Sequence, residues 1–140
     1  MTNKVEYEFT KNLYNEKRSY VTNLECSITG KDDYEAGKIH GLSEAGRPLL
    51  VRYDLEAIKN SVTKEEIEAR PGGFWKYREF LPVNTGDAMT SLGEVMTPLI
   101  PLNKSVPEVC DVIIKDEGRL PTGSFKARGL ALAVAMAKEL

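Results

Sequence analysis

Near the end of the chain a strand, a tight turn and a helix follow one another with little spacer. Val109-Cys-Asp-Val-Ile-Ile114 is a nearly continuous apolar run, the pattern of a strand covered on both faces. Pro121-Thr-Gly123 marks a turn, and Ser124 to Leu140 is rich in Ala, Leu, Val and Met, with little polar surface before Lys138. Such a helix is expected to be buried on most sides. A buried strand leading into a buried helix is two-thirds of a βαβ unit, and no returning strand follows. The expected class is therefore α/β, α+β within this stretch, with the sequence as the N-terminal part of a larger protein cut inside an α/β domain. A native end at Leu140 would leave an apolar helix face uncovered.

At 140 residues the chain is long enough for a core of its own. Hydrophobic residues make up 41% and charged residues 29%, which excludes a disordered chain. The net charge of −2 gives no clustered positive field, so neither nucleic acid nor a membrane surface is an expected partner. The start, Met1-Thr-Asn-Lys-Val-Glu-Tyr-Glu8, is polar where a signal peptide would be apolar, and Gly129 to Ala137 is far too short to span a bilayer. Only Cys26 and Cys110 could form a disulfide, and they sit in different kinds of segment. A reducing, cytoplasmic location is expected.

The division expected is a β-rich unit over residues 1–60 and a helical connection leading into an α/β domain over 61–140. Val5–Phe9 alternates as a strand, Tyr20–Cys26 carries β-branched and aromatic residues, and Pro48–Tyr53 follows a Gly-Arg-Pro corner. Together they predict a small antiparallel sheet. Asp54 can cap a short helix through Lys59, and Thr63-Lys-Glu-Glu66 fits a capping box that opens a helix stopping before Pro71. Phe74, Tyr77 and Phe80 recur at helical spacing beside Trp75, a one-sided core stripe. Leu99–Leu102 reads as a short strand.

The turn before the last helix places Lys126 just inside a helix start. Partial positive charge there disfavours an ammonium and favours the neutral amine, a nucleophile for carbonyl carbons. Thr122 and Ser124 can supply capping oxygens, and Gly123 can take a positive φ or let another backbone approach. Lys115, Asp116 and Glu117 stand where the strand ends, the usual side for a site in an open α/β sheet. On the residues alone, an ordinary surface lysine and a reactive one both remain open.

Pro121-Thr-Gly-Ser-Phe-Lys-Ala-Arg-Gly129 resembles the cofactor-lysine segment of the fold-type-II pyridoxal-phosphate enzymes, and of the threonine synthase family in particular. Leu92-Gly-Glu-Val-Met-Thr-Pro-Leu99 is similar to that family's Leu-Gly-Glu-Gly-x-Thr-Pro-Leu stretch. Pro48–Asp54 resembles the segment after its N-terminal ribbon, and Phe74–Leu81 resembles the aromatic helix before its catalytic domain. The resemblance implies that Lys126 links covalently to pyridoxal 5'-phosphate and shuttles protons. The substrate implied is O-phospho-L-homoserine, which loses phosphate at the γ-carbon and gains water at the β-carbon to give L-threonine. Phe125 would lean on the pocket wall. The family often has Asp after the lysine, where Ala127 stands here.

Relatives also carry a Cys-x2-Cys…Cys-x2-Cys zinc ribbon. Its two knuckles correspond here to Cys26-Ser-Ile-Thr29 and His40-Gly-Leu-Ser43. Structural zinc needs four thiolate or imidazole ligands, and only Cys26 and His40 qualify, so no metal is expected. The degenerate ribbon is then expected to be held by packing of Leu24, Ile28, Leu42, Leu49, Val51 and Tyr53, with His40 a partly exposed structural imidazole.

No Gly-Gly-x-Gly run follows Lys126 to hold a cofactor phosphate, nor a Ser-Gly-Asn segment to meet substrate. The residues present are therefore expected to be inactive alone and to depend on the rest of their own chain. The alternatives are another fold-type-II lyase, such as cysteate synthase or threonine dehydratase, and a non-catalytic binding module in which Lys126 is structural. Oligomeric state is not legible.

Overall fold

The structure, a computed structural model, describes residues 8, 11–12, 19–102 and 112–140. Among these the architecture is mixed α and β, with two small antiparallel sheets and, between Leu55 and Glu139, three short-to-medium α-helices. The strand expected over Val5–Phe9 lies outside the described residues except for Glu8, which is helical, as are Lys11 and Asn12.

The first sheet has the order β2-β1-β3, with β1 at Val21–Cys26, β2 at Tyr34–Glu35 and β3 at Leu49–Tyr53. Cys26 pairs with Leu49 and Leu24 with Val51 on one side, and Leu24 with Tyr34 on the other. Arg52 donates to both oxygens of Glu25 across the β1–β3 pair, at 2.7 Å each. The expected apolar packing is not what holds this sheet. Ile28 and Leu42 are 71% and 66% exposed, Val51 is exposed, and Leu24, Leu49 and Tyr53 are half-buried. Among the described residues the strands contact one another far more than any helix, and no second layer covers the sheet there.

Helix α1, Leu55–Ser61, begins where Asp54 Oδ1 accepts the Ala57 amide at 2.8 Å. Helix α2, Lys64–Ala69, carries the full capping box: Glu66 N donates to Thr63 Oγ1 at 3.1 Å, and Thr63 N to Glu66 Oε2 at 2.7 Å. Both starts satisfy amides that have no partner within the helix.

Phe74–Phe80 forms short 3-10 turns that meet at Tyr77, with φ −90° and ψ 33°. The aromatic stripe is thereby corrected. The kink at Tyr77 breaks the segment in two, so no single face runs through it: Trp75, Arg78 and Glu79 are buried, Phe74 packs on the core, and Phe80 is 46% exposed. Trp75, Leu81, Val83, Ala88 and Met89 pack against Ala131 and Ala135 of α3, Lys126–Glu139, flanked by Phe74, Leu132 and Met136. The core thus lies between an irregular segment and one face of a helix.

Helix α3 is not buried on most sides. Ala127, Ala131 and Ala135 face inward, while Leu130 and Val134 are 57% and 47% exposed. The apolar strand is corrected likewise. β5, Ile113–Lys115, pairs antiparallel with β4, Leu99–Pro101, and Ile113 and Ile114 are exposed. Residues 109–111 of that run, with Cys110, lie outside the described residues. No parallel strand pair occurs among the described residues.

Candidate functional site

Strand β5 ends at Lys115, and the chain turns at once. Asp116 Oδ1 accepts the Gly118 amide at 3.2 Å and opens a 3-10 turn over Glu117–Arg119. Leu120 is buried, and its carbonyl accepts the Gly123 amide at 2.7 Å. That closure needs φ +65° at Gly123, a conformation an L side chain adopts rarely. Three residues later, at Lys126, α3 begins. Ser124 serves its start twice: Oγ accepts the Lys126 amide at 3.3 Å, and its carbonyl accepts the Ala127 amide at 3.1 Å. Thr122 does not cap the helix; its hydroxyl donates to the Ser124 carbonyl at 3.4 Å.

Lys126 is the first residue of α3, and its side chain is exposed. Its amine makes no hydrogen bond or ion pair with any described residue. Around the helix it shares a face with Gly129, Leu130, Ala133, Val134 and Ala137, all exposed. That face is one free amine at the head of an apolar stripe. Phe125 stands beside it, 68% exposed. Ala127, where the resembling family often has Asp, is buried at the top of the inward alanine row.

Behind the lysine lies a polar network. Arg128 Nε donates to Glu117 Oε2 at 2.8 Å, and Nη2 donates to Oε1 at 3.1 Å and to the Val95 carbonyl at 3.0 Å. Thr97 donates its hydroxyl to Glu117 Oε1, and Lys115 Nζ lies 3.6 Å from the same oxygen. The Arg128 fork, then the Thr97 hydroxyl, hold the Glu117 carboxyl at about 2, well below the usual carboxylate range.

The Leu92–Leu99 block is locked from its other end. Buried Glu94 accepts Ser91 Oγ at 2.6 Å and the Leu92 amide at 3.0 Å, and its carbonyl accepts the Phe74 amide at 3.0 Å. Gly73 passes so close that a Cβ there would lie 1.9 Å from the Glu94 carbonyl oxygen. Sequence reasoning placed Glu117 at the strand end but missed its tie to Thr97 and Arg128. The signal was available: a Glu and an Arg bracketing a Pro-Thr-Gly turn that brings them together.

The knuckle residues are only partly brought together. Cys26, 1% exposed, has its Sγ 3.1 Å from Ser43 Oγ and receives the Thr29 amide at 3.5 Å. Ser43 Oγ also accepts the Arg47 amide at 3.1 Å, which holds the hydroxyl in place beside the sulfur. Hydrogen bonds from Ser43 first, then Thr29, bring the thiol down to about 6. His40 turns elsewhere: Nε2 is 2.8 Å from the Glu35 carbonyl, and its ring meets Tyr34 edge-on at 5.8 Å. Among the described residues no group of three or more His, Cys, Asp or Glu side chains is placed to hold a metal ion.

Lys126 thus opens a 14-residue helix after a strand and a glycine turn, exposed and without a partner among the described residues. Comparison with known proteins finds relatives. A threonine synthase of Methanocaldococcus jannaschii is 39% identical over 117 residues, 82% of this chain and 29% of that protein. One from Halalkalibacterium halodurans is 52% identical over 65 residues, 46% of this chain and 18% of that protein. One from Methanosarcina acetivorans is 31% identical over 119 residues, 84% of this chain and 28% of that protein. By sequence the chain is a relative of the threonine synthases, matching their N-terminal portion and spanning less than a third of the length of these curated relatives. No family model and no solved structure matches it.

Proposed function

We propose that the protein carrying this chain is a pyridoxal-phosphate-dependent lyase that converts O-phospho-L-homoserine and water to L-threonine and phosphate, as a cytoplasmic enzyme of threonine biosynthesis. The observation that carries the proposal is Lys126: an exposed amine on an apolar face, without a partner among the described residues, in a chain related to proteins named threonine synthase. The residues present suit the cofactor at its aldehyde end, since a lysine amine is the group that condenses with an aldehyde. Residues 61–140 would begin the cofactor domain, and 1–60 would form a separate β-rich unit. Groups for the cofactor phosphate and ring nitrogen would come from the rest of the protein, which would also cover Leu130 and Val134. When bound, pyridoxal phosphate supplies an electron sink for charge developing on the substrate.

This chain's own contribution is positional and acid–base. Ser124 and the turn at Gly123 set where α3 starts, and so where the Lys126 amine stands. The Lys126 amine would accept a proton at one substrate carbon and deliver it at another. Cover over the apolar face would exclude water from that transfer.

The test uses the intact protein. Borohydride reduction with pyridoxal phosphate is expected to leave a stable adduct on the Lys126 peptide. Lys126→Ala is expected to lower phosphate release from O-phosphohomoserine by roughly a thousand-fold or more. Stability should change by no more than about 0.5 kcal/mol, because the side chain is exposed. Faster phosphate release from O-phosphoserine would redirect the reading to a related lyase. Unchanged activity in Lys126→Ala would make the lysine structural.

A further inference from the structure

We infer that Glu117 is a positioning residue for Lys126, acting through Arg128; the inference rests on the cofactor reading above. The Glu117 carboxylate is shared among separate parts of the chain. It takes the two-pronged Arg128 fork from α3, the Thr97 hydroxyl from the loop before β4, and the approach of Lys115 from the end of β5. Arg128 Nη2 is held again by the Val95 carbonyl at 3.0 Å. A bidentate arginine fixes orientation as well as distance, because both prongs must lie in the carboxylate plane.

The consequence for the lysine follows from helix geometry. Residues two apart leave a helix on nearly opposite sides, about 200° around the axis. Anchoring Arg128 to Glu117 and Val95 therefore sets the rotation of the first turn and turns Lys126 toward the open apolar face. The inward residues of α3 are alanines, whose methyl groups resist a small axial rotation weakly. The fork supplies what they lack.

A purely structural ion pair is the competing explanation, and the molecule contains a suitable comparator. Arg70 donates to both oxygens of Glu79 at 2.7 and 2.8 Å, in a more buried place, and ties α2 to the 3-10 segment rather than to α3. Losing that pair should lower stability without turning Lys126.

The experiment compares Glu117→Gln, Arg128→Lys and Glu79→Gln in the intact protein. The readouts are the borohydride-trapped adduct on the Lys126 peptide, the pH at which the visible band of the lysine-bound cofactor titrates, and the unfolding midpoint. Glu117→Gln is expected to lower adduct yield at subsaturating pyridoxal phosphate about ten-fold and to shift the band's titration. Arg128→Lys, which keeps the charge but loses the fork, should fall between it and wild type, and it serves if Glu117→Gln does not fold. Glu79→Gln should lower the unfolding midpoint and leave adduct and band unchanged. Equal adduct loss in Glu117→Gln and Glu79→Gln, or an unchanged adduct and band in Glu117→Gln and Arg128→Lys, overturns the inference alone. No adduct in wild type overturns the cofactor reading and this inference with it.

Discussion

The β2-β1-β3 sheet and the α3 unit both leave apolar side chains in water, but different forces hold them. In the sheet, Ile28, Leu42 and Val51 are exposed, and order comes from ladder hydrogen bonds, the Glu25–Arg52 pair and the buried Cys26–Ser43 contact. In the α3 unit, Trp75, Val83 and Met89 press against alanines on one helix face, while the opposite face carries Lys126. The difference teaches where each region's vulnerability lies. The sheet depends on a few polar contacts, and the helix depends on volume.

Removing volume from the helix side should therefore have the largest effect. Met89, 2% exposed and among the largest fully buried side chains, sits in the α3 core. Met89→Ala is expected to cost about 3 kcal/mol, from lost burial and the cavity left behind. Chemical denaturation would measure it. A cost under about 1 kcal/mol would mean that this core is loosely packed and the contrast with the sheet is false.

Adding volume tests the same side from the opposite direction. Gly73→Ala would force a methyl group onto the Glu94 carbonyl oxygen, 1.9 Å away, where the obstacle is backbone. The expected cost is about 2 kcal/mol or more, with the Phe74–Glu94 hydrogen bond lost first. Hydrogen exchange at the Phe74 amide reports it directly, and unchanged protection there would remove the close approach from the account.

The sheet should respond to pH more than to volume. The Cys26 thiol is brought from 9.0 down to about 6 by Ser43 and Thr29. A depressed acid contributes stability that is complete above its unfolded value and lost as pH falls through its folded one. Stability should thus rise between pH 6 and 9, and Ser43→Ala should flatten that rise by letting the thiol return toward its ordinary value. Ultraviolet titration of the thiolate would check it. A titration unchanged by Ser43→Ala would show that the hydroxyl is not what stabilises the sulfur.

Legibility varied in the same way. Local hydrogen-bonded devices were readable: Asp54 and Thr63–Glu66 cap the helices the sequence predicts, and β1, β3 and β4 stand where their residues place them. These depend on side chains reaching backbone a few residues away. The readings that failed concerned which face meets what. The Phe74–Tyr77–Phe80 stripe is interrupted by the kink at Tyr77, and the apolar runs at Ile113–Ile114 and in α3 are open on at least one side. An apolar run states what a segment tolerates and does not state which neighbour reaches it. The two-residue β2 had too little pattern to find.

At the candidate site, Lys126, the turn at Gly123 and the helix start follow from residue order alone, because a strand, a glycine turn and a helix are local events. The joining of Thr97, Lys115, Glu117 and Arg128 on one carboxylate needed the tertiary structure. So did the burial of Cys26 on Ser43 with His40 turned away to Glu35. The physical reason is the same for both. Thr97–Glu117 and Cys26–Ser43 join groups 20 and 17 residues apart, and a hydrogen bond over about 3 Å between such groups is decided by how the intervening chain folds.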